Sequence, residues 1–116
     1  MERVNPIVIT VDGTEYTLEF SRETVKHAER SGFRRDDIFN QMMNRTEELF
    51  FYAFKMHHPK ISMEETNSIL YDKLGGLTSA EFDRLVDLFN APYESLIKSD
   101  EEGAERKNSA TVKVKL

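Results

Sequence analysis

Leu49-Phe50-Phe51-Tyr52-Ala53-Phe54, continued by Lys55-Met56-His57-His58-Pro59, is the most apolar run in an otherwise polar chain, and the architecture turns on it. At about 100° per residue, Ile38, Phe39, Met42, Met43, Leu49, Phe50, Ala53 and Met56 share one broad side, so the spacing predicts a long helix from about Asp36 to His58. Phe51 and Tyr52 fall off that stripe. A helix apolar around most of its girth is enclosed by its neighbours on more than one side, so the other elements should pack around it.

Upstream, Ile7, Ile9 and Val11 alternate with Val8 and Thr10, and Tyr16, Leu18 and Phe20 alternate with Thr17 and Glu19. Asp12-Gly13 between them is the preferred pair for a type I′ turn, in which both central residues need positive φ. That turn sets Val11 opposite Thr14, Ile9 opposite Tyr16 and Ile7 opposite Leu18, which places the apolar residues of both strands on one face. A lone hairpin is marginal, so the face should lie on the helices, with both strand edges open to further pairing.

Helix punctuation follows. Ser21 reads as the N-cap of a helix to about Ser31, with Glu23 in its first turn, Val25 and Ala28 facing inward and Gly32 as its stop. Asp36 and Asp37 suit the start of the long helix, and Pro59 its end. Ser62-Met63-Glu64-Glu65 and Thr78-Ser79-Ala80-Glu81 both fit capping boxes, with Leu77 placed to staple onto Phe82. The first box opens a helix that presents Thr66, Ile69, Leu70, Lys73 and Leu74 and ends at Gly75-Gly76. The second opens one carrying Phe82, Leu85, Val86, Phe89, Tyr93, Leu96 and Ile97, which Pro92 should kink or break near Asn90. From Ser99 the composition turns polar. The fold class is therefore α+β, mainly α: an N-terminal β-hairpin on a bundle of about four helices over residues 1–98, with a polar tail over 99–116. Within the tail, Thr111 to Leu116 alternates again, and reads either as a flexible end or as a strand that adds to the hairpin.

A chain of 116 residues suits one domain with one modest core. With 21 acidic against 16 basic residues, a net charge of −5 and no basic run, it shows no footprint for nucleic acid. The absence of cysteine excludes disulfides and thiolate metal sites. Neither a secretory pattern nor a bilayer-length apolar run is present, which points to a soluble cytoplasmic protein.

Catalytic chemistry finds little support. His57 and His58 are adjacent, so on a helix they point about 100° apart and cannot converge on one ion. Gly75-Gly76 lacks the lysine and hydroxyl residue of a phosphate loop, and the acidic pairs stand in helix first turns or in the tail. No catalytic, cofactor or metal site is assigned. The aromatic surplus points instead to a protein interface, for which Phe51, Tyr52, Phe54 and Tyr93 are the candidate partner-binding residues. Simple core is the competing reading for Phe51 and Tyr52.

Three pieces of the chain resemble the tail assembly chaperones of long-tailed bacteriophages and prophages: Glu15 to Val25 with Glu29-Arg30-Ser31-Gly32-Phe33; Leu49 to Phe54 with His57-His58-Pro59-Lys60-Ile61-Ser62; and the helix from Glu64 to Leu74. The likeness covers roughly Val8 to Ile97. One stretch departs from it, Gln41 to Thr46, where the family's pattern is a shorter join, often with proline. The resemblance implies a non-enzymatic role in the bacterial host cytoplasm: binding the tape measure protein during tail morphogenesis, keeping its apolar helices from aggregating, and helping to recruit tail tube subunits. It also implies that homo-oligomers are compatible with function. A small regulatory or antitoxin-like adaptor is the alternative.

Overall fold

The computed structural model describes residues 4–97; the readings of the polar tail and its terminal strand lie outside the described residues. The chain opens with an antiparallel hairpin, β1 (Ile7–Val11) and β2 (Thr14–Leu18), in the register Ile7 to Leu18, Ile9 to Tyr16 and Val11 to Thr14. Asp12 and Gly13 sit at φ 49° and 83°, as a type I′ turn requires. Ile9 and Leu18 are buried, whereas Val8 on the opposite face is exposed.

Helix α1 (Arg22–Arg30) begins at Ser21, whose hydroxyl accepts from the Thr24 amide while the Thr24 hydroxyl accepts from the Ser21 amide at 2.8 Å. It ends at Gly32, φ 100°, where the Gly32 amide donates to the Glu29 carbonyl and the Phe33 amide to that of Ala28. These are the paired bonds of a Schellman cap, and Phe33 drops into the core beside them.

The apolar run forms α2 (Met42–Phe54), which packs against β2, α1, α3 (Met63–Ser68) and α4 (Ser79–Asn90). Its last turns supply the centre of the core: Leu49, Phe50, Tyr52, Ala53 and Phe54 are buried, with Leu18, Ile69, Leu85 and Phe89 among the side chains that complete the core around them. Both predicted capping boxes are present, Ser62 with Glu65 and Thr78 with Glu81. At Pro92, α4 gives way to a 3-10 turn, Ala91–Ser95, as the proline's missing amide demands.

Four expectations are corrected. The long helix does not start at Asp36: Arg35–Asp37 is a separate 3-10 turn, and the Asn40 and Gln41 amides both donate to the Asp37 carbonyl, closing a turn before Met42. It stops at Phe54, not His58. Beyond it, the His58 amide bonds the Phe54 carbonyl at 2.7 Å and Lys55 Nζ reaches the carbonyls of Pro59 and Ile61. Because of the early break, the predicted stripe splits: Ile38 is buried, but Phe39, Met42, Met43 and Met56 are exposed, and Tyr52 turns inward. After Ser68 the chain makes a π turn, Ile69–Lys73, with the Leu74 amide bonded to the Ile69 carbonyl. The wider turn shifts the register and carries Lys73 and Leu74 out of the core, so that Lys73 pairs with Asp12 at 3.0 Å.

One of the two hairpin edges expected to be open, that of β2, is closed. The outward amide of Thr17 on β2 donates to His58 Nε2 at 3.0 Å, and the Glu19 amide beyond β2 to the Ala53 carbonyl at 2.9 Å. The β2 side is thereby closed by the segment around the end of α2.

Candidate functional site

The four side chains expected at a partner surface do not converge. Phe54 is wholly enclosed, its ring edge-on to Tyr16 at 5.6 Å and to Phe50 at 5.0 Å. Tyr52 retains only 9% exposure between His27 and Phe33. Both are core residues, because the break before Met42 sets α2 so that its last two turns are covered on several sides at once. Phe51 is half-buried, with its ring 5.0 Å from that of Tyr52 and Lys55 Nζ 4.5 Å above it.

Tyr93 stands in the 3-10 turn after α4, on a different part of the surface. Its hydroxyl bonds the Glu29 carboxylate and its ring lies under the Arg35 guanidinium at 4.2 Å. Burial, and then the hydrogen bond from the phenol to Glu29, push the Tyr93 hydroxyl up to about 12, while Arg35 pulls the other way. With Arg22 Nε donating to Ser95 Oγ at 3.0 Å, these contacts tie the end of α4 to α1. They read as structural.

Leu96 and Ile97, which follow this turn and were expected to continue the apolar stripe of α4, are exposed, because the helix ends before Pro92. A larger group of exposed apolar side chains lies elsewhere. Phe39 is 82% exposed and Met43 70% exposed, and with Met42, Tyr71, Leu77 and Phe82 they line a trough of about 480 Å³ between the start of α2, the π turn and α4. Each wall has a local cause. The turn closed on Asp37 sends Ile38 inward and Phe39 outward, where its ring stands 6.4 Å from Phe82. Met42 and Met43 fall in the first turn of α2, before the helix becomes enclosed. The π turn sets Tyr71 on the rim, where its hydroxyl bonds Glu47; that bond foremost, then burial and the Glu47 charge, raise its pKa. Gly75 and Gly76, at φ 67° and 99°, turn the chain into Leu77 on the trough floor and the Thr78 cap of α4.

A second hollow of about 550 Å³ continues along α4, sharing Phe39, Phe82 and Asp83 with the first and adding Asp36, Val86 and Asp87. Methionine is unbranched and polarisable, so a surface built on Met42 and Met43 can adapt to apolar side chains of different shape. An exposed apolar patch with a polar rim is the signature of a binding surface. Among the described residues, no three histidine or carboxylate side chains are grouped as metal ligands, and no helix is long and apolar enough to cross a membrane. His57 Nε2 lies 2.9 Å from Glu19 Oε1, and His58 serves the Thr17 amide.

A mainly helical domain with an N-terminal hairpin and an apolar trough beside its central helix is thus the class of protein that fold and surface define. The chain belongs to the DUF5055 family, a domain of unknown function, whose profile matches residues 3–116. No curated protein and no solved structure matches it.

Proposed function

We propose that this protein is a non-enzymatic assembly chaperone that holds an apolar helical segment of a larger client in the Phe39–Met43–Phe82 trough. The client is the tape measure protein of a phage tail, and tail tube subunits are recruited during the same assembly. The observation that carries the reading is the exposure of Phe39, Met42 and Met43 together over a preformed hollow, in a domain that has a separate buried core of its own. Such a surface suits an amphipathic helix laid into a groove. The resemblance of the hairpin, the Leu49 to Ser62 run and the Glu64 to Leu74 helix to tail assembly chaperones supports the choice of client.

Coexpression with the tape measure protein from the same genome tests it. The tape measure protein should stay in the soluble fraction and co-purify with this chain. Equal solubility with and without the chain would remove the proposal.

A further inference from the structure

We infer that the trough selects a basic amphipathic helix: one that sets apolar side chains between Phe39 and Phe82 and carries lysine or arginine one turn apart against Asp83 and Asp87. The inference rests on the client-holding reading and adds the chemistry of the partner.

Among the described residues, the charged side chains that line the trough are mostly acidic: Glu47 and Asp83 in its first half, and Asp36, Asp83 and Asp87 in its second, with one guanidinium, that of Arg35. Arg35 is already committed, donating to Asn90 Oδ1 at 2.6 Å and capping the Tyr93 ring. Glu47 is likewise engaged by Tyr71. Asp36, Asp83 and Asp87 form no ion pair with any described residue. A hollow whose unpaired charges are of one sign draws the opposite sign and repels its own.

Geometry narrows the partner further. Asp83 and Asp87 are four residues apart on α4, hence on one face, and a partner helix running alongside presents basic side chains at the same repeat. An added strand has nothing to pair with here, because α2 and α4 bond their own backbone groups internally. A second copy docked through the same face would set Asp36, Asp83 and Asp87 against an identical acidic face, which like-charge repulsion opposes.

The test uses the full chain and three labelled helical peptides with one shared leucine face, whose polar face is all lysine, all glutamate or all glutamine. Binding is read by fluorescence anisotropy. The lysine peptide should bind about tenfold or more tighter than the glutamate peptide near 0.1 M salt, and the gap should close near 1 M, where screening shortens to about 3 Å. Asp83→Lys with Asp87→Lys, both exposed positions, should reverse the order. Glu64→Lys with Glu94→Lys, the same charge change away from the trough, should not; an equal reversal by that pair would reduce the effect to net charge and overturn the inference. Equal binding of all three peptides would overturn the charge selection and leave the client-holding reading standing, whereas no binding by any of them would remove both. A dimer of the free protein that Phe39→Ala dissolves in light scattering would make a second copy the occupant, also against the inference.

Discussion

Phe39→Ala and Phe54→Ala should separate binding from folding. The Phe39 ring is 82% exposed, so its loss leaves stability within about 0.5 kcal/mol, as for other surface changes. If a client helix covers that ring, the burial forgone is worth about 1.5–3 kcal/mol, or roughly a tenfold to hundredfold weaker complex. Phe54 is enclosed by Tyr16, Phe50 and His58, and truncating it should cost about 3–5 kcal/mol. That is a large part of the roughly 5–15 kcal/mol that holds a domain together. Urea unfolding followed by far-ultraviolet circular dichroism gives the first quantity, and co-purification of the coexpressed tape measure protein gives the second. Phe39→Ala that unfolds several kcal/mol more easily, or that retains client as well as the parent chain does, would refute the assignment of the trough as the binding surface.

Other contacts give narrower tests. Below its ordinary value the Tyr93 phenol is protonated in both states and its bond to Glu29 is intact; raising the folded pKa to about 12 means that this stabilisation is lost as pH rises from about 10 through 12. Thermal midpoints should therefore fall more steeply over that interval in the parent than in Tyr93→Phe, and parallel curves would contradict it. His58→Phe keeps a ring beside Tyr16 but removes the acceptor for the part-buried Thr17 amide. It should cost about 1–3 kcal/mol and speed hydrogen exchange at Thr17, and unchanged exchange would rule out the edge bond. Thr78→Ala breaks the capping box that starts α4 and should destabilise by about 1 kcal/mol in the same urea assay; no loss would show that the cap is dispensable.

The elements were readable where a local rule acts alone. Asp12-Gly13 set the hairpin register, Gly32 with Phe33 closed α1, and Ser62 and Thr78 opened α3 and α4, because each depends on bonds within a few residues. The trough was not readable, since it arises from two departures that periodicity cannot see. Counting helical turns through Asp37 to Gln41 put Phe39, Met42 and Met43 in the core, whereas the turn closed on Asp37 resets the phase and leaves them outside. The π turn at Ile69 then moves Lys73 and Leu74 out of the expected face. A cue existed in the polar stretch Asn40-Gln41 and in Asn44 to Glu48, which sit poorly in the middle of a buried helix. Likewise Tyr52 and Phe54 suit a partner surface by sequence, but which aromatics are surplus depends on how many neighbours cover α2, and that is a tertiary property.

Where the proposed client touches this chain can be read by placing a photoreactive phenylalanine analogue at one position at a time in chain coexpressed with the tape measure protein, then irradiating the purified complex. Position 39 should crosslink to the tape measure protein in high yield, with position 51 giving little. Crosslinks concentrated at position 51 or 93, with none at 39, would place the client on another surface and contradict the trough.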